Sequence, residues 1–161
     1  MMKKLYQLDE GGRPSRYHEA WVDGDSVVEH FGRLGTQGEA KTHRPGWLSS
    51  AEKKLRQVLR APIAKGFREV PIEDHAVLLI EYQIDGFGSP QDLDKRYALQ
   101  DRMDEKLGWT GLGHCDGGSI GSGTMEVCCF VVDFATAKSV IEQDLQGTRF
   151  SDYTRIFEEG A

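Results

Sequence analysis

The stretch Ala76-Val77-Leu78-Leu79-Ile80-Glu81-Tyr82-Gln83-Ile84, followed by Ser89-Pro90-Gln91-Asp92, decides how the second half of this 161-residue chain reads. Its run of Val, Leu and Ile fits a buried strand. Ser89 as N-cap with Pro90 at the first helical position then opens a helix. Leu93, Tyr97, Leu99, Met103 and Leu107 predict the inner face of that helix, and Gly108 its C-cap. Residues 111–116 and 124–132 read as two strands joined by a wide Gly-rich connection, 117–123. Asp133 caps a second helix with Ala137, Val140, Ile141 and Leu145 inward and Gly147 at its end, and 153–158 supplies a last strand. The order β-α-β-β-α-β is that of the ferredoxin-like split βαβ arrangement, with both helices on one face of a four-stranded antiparallel sheet. Alternation puts Leu78, Ile80, Tyr82, Ile84, Val127, Cys129 and Val131 toward the helices. Val77, Leu79, Cys128, Phe130 and Val132 fall on the other face, which is too apolar to stay wet.

Working back toward the start, 16–22 and 26–34 read as strands around Asp23-Gly24-Asp25, a strong hairpin signal. Residues 4–8 add an earlier strand, and 39–43 a later one after the turn Gly35-Thr36-Gln37-Gly38. Ser49-Ser50-Ala51-Glu52 predicts a capping box in which Ser49 accepts from the Glu52 amide and the carboxylate reaches back. Leu55, Val58, Leu59 and Ile63 make one apolar helical face. Pro62 is expected to kink or end that helix, and Gly66 to stop what remains. Pro71 marks a break, giving units of 1–72 and 73–161.

Charge divides at the same place. Residues 1–72 carry 13 Lys and Arg against 9 Asp and Glu, whereas 73–161 carry 7 against 17, within a net charge of −6. Such asymmetry suggests units with different partners, although acidic helix faces that merely keep the second unit soluble would give the same count. No apolar run reaches the roughly 20 residues that span a bilayer, and the N-terminal residues lack the apolar segment of a signal peptide. Three cysteines, two of them vicinal, argue against a disulfide framework and for a reducing, cytoplasmic setting.

Phe31-Gly32-Arg33-Leu34-Gly35-Thr36-Gln37-Gly38-Glu39, a helix, and then Lys65-Gly66-Phe67-Arg68-Glu69-Val70 resemble the WGR domain over about residues 3–71. That module is named for a Trp-Gly-Arg triplet followed by a Gly-Thr turn, and it occurs in DNA-dependent poly(ADP-ribose) polymerases and as a short bacterial module. The resemblance implies a small antiparallel sheet with one helix packed across it, and a part in DNA binding and interdomain signalling. Phe31 stands at the Trp position, which keeps an aromatic face and removes the indole N–H donor. Pro62 departs from the unbroken helix of typical members.

Cations interleaved with Tyr17, Trp21, Phe31 and Trp47 suit a nucleic-acid platform, and they suit a solvated sheet and helix surface equally. The expected contacts are Phe31 for stacking and Arg33, Lys41 and Arg44 for phosphate. Arg33 has a competing structural use, as an anchor to a carboxylate of the acidic second unit. His114, Cys115, Cys128 and Cys129 fall short of a metal set, because strand neighbours point to opposite faces. His114, Gly117, Gly118, Ser119 and Gly121 lie in a stretch that reads as a hairpin turn or as an anion- or ligand-binding loop. It lacks the Walker and dinucleotide spacings.

The sequence therefore points to an α+β protein, a WGR-like unit followed by a ferredoxin-like one. The expected function is non-catalytic binding of nucleic acid, DNA by resemblance, with no cofactor and no metal. The alternatives are a protein-interaction or regulatory module using the open sheet face, including a homodimer through it, and a small hydrolase or transferase using the 114–123 loop.

Overall fold

The computed structural model describes residues 1–161. The molecule is a mixed α+β structure of two four-stranded antiparallel sheets and three helices. In the first sheet β1 (Met2–Leu8), β2 (Pro14–Asp23), β3 (Ser26–Arg33) and β4 (Glu39–His43) lie in chain order as a meander. Gly24, at φ +56°, makes the two-residue turn between β2 and β3 and sets their register, Asp23 opposite Ser26. Helix α1 (Ala51–Ala64) lays Leu55 and Leu59 over Leu5, Ala20 and Val27.

Three details of α1 differ from expectation. Ser50, not Ser49, has the extended backbone of an N-cap, and its hydroxyl accepts from the Lys53 amide at 3.2 Å. With lysine as the third helical residue no reciprocal carboxylate is available, so the Ser49–Glu52 capping box does not form. The helix also runs through Pro62 to Ala64. Pro62 sits in the last turn, where its missing N–H costs only one hydrogen bond, and Gly66 at φ +91° completes the stop. Because Pro62 takes the inward position seven residues after Leu55, Ile63 is turned out to solvent.

The second sheet is built from β5 (Ala76–Gln83), β6 (Gly113–Gly121), β7 (Thr124–Val131) and β8 (Arg155–Glu158), in the spatial order β6-β7-β5-β8. Helices α2 (Pro90–Trp109) and α3 (Phe134–Leu145) supply Leu99, Met103, Leu107, Ala137, Ile141 and Leu145 to one core with Leu78, Ile80, Val127 and Cys129. Ser89 and Asp92 form a reciprocal capping box at the start of α2. Leu93 and Tyr97 stay exposed, because the inward row runs 99, 103, 107 and those two fall beside it. Nor is the Gly-rich stretch a wide turn. It is the body of β6, bulged between Cys115 and Gly118 and reversed by the tight pair Ser122-Gly123, both at positive φ.

The end of α2 joins the two halves. Gly108 lies inside the helix, which stops at Thr110 and Gly111 instead. The Leu112 amide returns to the Leu107 carbonyl at 2.9 Å and the Gly111 amide to Gly108 at 3.2 Å, the double bond of a Schellman stop with Gly111 at φ +70°. That exposed chain end is received by the first sheet. The Tyr6 hydroxyl donates to the Gly111 carbonyl at 3.0 Å, and the Gly35 amide to the Thr110 carbonyl at 2.9 Å. Arg13 clasps Asp133, the N-cap of α3, through Nε and Nη2 at 2.9–3.1 Å. Tyr6 and Tyr17 also pack on Val132. Of the apolar row on the far face of the second sheet, Val132 is the member the first half meets. Val77, Cys128 and Phe130 are half-buried, so the first half covers this face only at Val132.

A Cβ on Gly111 would lie 2.2 Å from the Tyr17 ring, whereas one on Gly108 meets nothing within 4 Å. Gly111→Ala is expected to cost at least about 3 kcal/mol in urea denaturation, from the left-handed φ and the clash together. Gly108→Ala is expected to add up to about 1 kcal/mol. Equal effects would mean that the helix does not end where the two halves meet.

Candidate nucleic-acid interface

Alternation gives the first sheet two unlike faces. One carries Tyr6, Tyr17, Glu19, Trp21 and His30 toward α2. The other carries Leu5, Arg16, His18, Ala20, Val27, Glu29, Phe31, Arg33, Lys41 and His43, and α1 covers part of it. The face toward α2 is a closed polar network. His30 Nδ1 stands 2.7 Å from Glu19 Oε1, and Nε2 lies 2.6 Å from the Gln37 carbonyl. Both ring nitrogens of His30 are thus engaged inside the sheet. The Tyr17 hydroxyl donates to the Thr36 carbonyl at 2.8 Å and rests 3.1 Å from Nε2, while Lys4 Nζ pairs with Glu19 Oε2 at 3.1 Å. Burial first, then the Glu19 carboxylate, push the Tyr17 hydroxyl well above the ordinary tyrosine range. These groups hold the β3–β4 turn and leave no reactive position open.

The other face is open beyond the end of α1. A cleft of about 440 Å³ lies there, lined among others by Arg16, His18, Phe31, Lys41, Lys65 and Phe67. His18 stacks on Phe31 with ring centroids 5.1 Å apart and planes 17° from parallel, and the Lys41 ammonium sits over the Phe31 ring at 5.1 Å. Glu29 binds His18 through one oxygen and His43 through the other, both at 2.7 Å, so its charge is already engaged. Arg16 and Arg33 are directly opposite each other on β2 and β3, both exposed and neither in an ion pair. Like charges so placed repel, and an anion between them relieves the repulsion. Glu39, opposite Phe31, is the free acid on this face.

Phe31 and Lys41 therefore meet, with Arg33 two residues along β3. Arg44 lies one residue past the other end of β4, about 17 Å away from the position opposite Phe31 at 3.3 Å per residue. Arg33 is not the anchor between the halves; Arg13 is, through Asp133. Arg16, His18 and Lys65 complete the cleft. The first two could have been found from the hairpin, because the Asp23–Ser26 closure already implies that 16 faces 33 and 18 faces 31. Lys65 reaches the site only through the packing angle of α1.

The five residues of the 114–121 stretch do not converge. His114 stacks on Phe130 at 5.3 Å, Gly117 sits in the bulge, and Ser119 reaches Glu126 at 3.4 Å. Seven extended steps, about 23 Å, separate His114 from Gly121. Cys115 and Cys129 are buried opposite each other in the core and Cys128 points to the far face. Burial raises the Cys128 thiol, and the contact with Cys115 together with burial raises that of Cys129. No helix is long and apolar enough to cross a membrane. No family model, curated protein or solved structure matches this chain.

Arg33→Ala is expected to change stability by less than about 0.5 kcal/mol, as for an exposed residue without a partner. Asp133→Ala is expected to cost about 1–2 kcal/mol at neutral pH through the lost cap. Burial lifts the Asp133 carboxyl, but its bonds from Thr136 and Arg13 outweigh that and hold it below the usual range. The stabilisation is thus complete above the unfolded value of about 4 and is lost as pH falls through the lower folded one. Thermal melts of both variants at pH 7 and pH 2.5 check this. A gap for Asp133→Ala that stays as wide in acid would contradict the ion-pair part of the account.

Proposed function

We propose that the protein is a non-catalytic nucleic-acid-binding protein, with DNA as ligand, that works through the open face of its first sheet. The observation that carries this reading is the Arg16–Arg33 pair, two cross-strand guanidinium groups with no carboxylate to neutralise them, beside the stacked His18–Phe31 rings and Lys41. Phosphates supply the missing negative charge, and rings flanked by cations are the composition of a single-strand platform. The β1–β4 meander crossed by α1 supports a WGR-like reading of the first unit. The order β6-β7-β5-β8 with two helical connections supports a ferredoxin-like reading of the second.

Anisotropy titration of a fluorescein-labelled thymidine 20-mer with the full chain tests the proposal. With about four phosphate contacts, affinity for a single strand should fall roughly 50-fold between about 50 and 200 mM salt. The Arg16→Ser/Arg33→Ser double variant should flatten the log–log slope by about 1.4. Absence of binding at low salt, or an unchanged slope in the double variant, would remove the reading.

A second reading, interaction with a protein or with another copy of the chain, is favoured by the far face of the second sheet, where Val77, Cys128, Phe130 and Phe157 remain half-buried around Leu79. On that reading light scattering finds a dimer or a captured partner that Phe130→Glu abolishes. Monomers in both the parent and the variant rule out the homodimer.

A further inference from the structure

The chain between β4 and α1, Arg44-Pro45-Gly46-Trp47-Leu48, carries the most exposed aromatic residue of the molecule, Trp47 at 93%. The Gly46 carbonyl accepts from the Ser49 amide at 2.8 Å, which closes a four-residue turn with Trp47 and Leu48 at its tip. The tip is thus held by the backbone. The Trp47 ring stacks on no other ring and has no cation over it. Phe31 differs in each respect, being half-buried, stacked on His18 and covered by Lys41. An indole presented in this way offers a large apolar face whose removal from water under a flat partner is favourable.

The surroundings say what that is. Arg44 opens the loop, and Lys53 and Lys54 follow in the first turn of α1, with Glu52 the single acid nearby in sequence. None of Arg44, Lys53 and Lys54 is in an ion pair. From the Arg16–Arg33 pair the open face continues past Lys41 on β4 to Arg44. The path along β4 from Glu39, opposite Phe31, to Arg44 is about 17 Å at 3.3 Å per residue, and the Arg16–Arg33 pair lies two residues beyond its start. Arg16 and Arg33 lie beyond the start of this path, Lys41 near its middle and Arg44 at its end, with Glu39 the acid on it, and the free aromatic ring stands next to Arg44.

We infer that the ligand of this face is a single strand laid along β4, and that Trp47, not Phe31, is its base-stacking residue. The inference rests on the proposed nucleic-acid function and adds the strandedness and the residue. A duplex keeps its bases stacked on one another, so it offers nothing to an indole at a turn tip, whereas a single strand does. Arg44, remote from Phe31, then serves the phosphate next to the stacked base.

The test uses the full chain with labelled thymidine oligomers of two and six residues, a six-residue duplex, and vesicles of phosphatidylserine. Trp47→Ala should weaken the six-residue strand about tenfold, the effect of one lost base stack, without altering the salt slope. It should leave the two-residue strand, too short to reach the tip, and the thermal melt unchanged. The duplex should bind the parent protein more weakly than the single strand. If the Arg16→Ser/Arg33→Ser variant loses affinity while Trp47→Ala does not, the nucleic-acid reading survives and this inference falls. If neither the single strand nor the duplex binds the parent, both fall. If Trp47→Ala abolishes vesicle binding and leaves the oligomer untouched, the tip is a membrane-surface contact and the inference is overturned.

Discussion

The docking of the α2 C-terminus against the first sheet is the contact on which the rest of the molecule depends. A helix end leaves carbonyl groups without partners, and burying them unpaired is costly. Here the Schellman stop satisfies two of them internally, and Tyr6 and Gly35 satisfy the Gly111 and Thr110 carbonyls from outside. The fit requires the absence of a side chain at Gly111, because the Tyr17 ring occupies that space. One residue thus ends a helix of the second half and admits an aromatic ring of the first. Two units of marginal size for independent stability are joined by the Gly35–Thr110 backbone bond, the Tyr6 hydroxyl, the Arg13–Asp133 pair and the packing of Tyr6 and Tyr17 on Val132.

The same contact explains the polar core of the first sheet. Tyr17, Glu19 and His30 lie on the face turned to α2, and Trp21 and Trp109 close around the imidazole edge-on at 6.4 and 5.0 Å. Buried polar groups need partners, and here two carbonyls of the β3–β4 turn engage His30 and Tyr17, while Glu19 Oε2 has the Lys4 ion pair but no hydrogen bond. The turn is in consequence rigid. Gly38 lies so close to the Phe31 carbonyl and the Tyr17 hydroxyl that a Cβ would meet both, at 2.2 and 2.4 Å. The Gly-Arg-Leu-Gly-Thr segment that suggested a module by resemblance is, physically, the segment that encloses this network. Its arginine is left on the outside.

With one face committed to the junction, the other face of the sheet is where a ligand can be met. Helix α1 covers its apolar part and stops short of its cationic part. Glu29, half-buried there, is held by two histidines, one at each carboxylate oxygen. The surface left over is positive around an aromatic pair, next to a second half that is strongly acidic as a whole. The charge of the molecule is therefore polarised, positive on this face and negative over the second half.

Much of the fold was legible in local chemistry. The Asp23-Gly24-Asp25 signal announced the β2–β3 hairpin, and the structure closes it one residue tighter, with Asp23 opposite Ser26, which sets the Glu19–His30 and His18–Phe31 neighbours. Ser89-Pro90 and Asp133 announced their helices, and the alternation of β5 and β7 separated core from far face, since these signals act within a few residues. What the sequence could not decide was everything set by contacts distant along the chain. Gly108 and Gly111 are equally plausible stops until Tyr17 fills the space beside one of them. Arg13 and Arg33 are equally plausible anchors until Asp133 is placed beside the first. The glycines of 117–123 suit a loop as well as a bulged strand until β7 pairs with them. In each case the local preferences are nearly equal, and packing against a residue far away in sequence chooses between them.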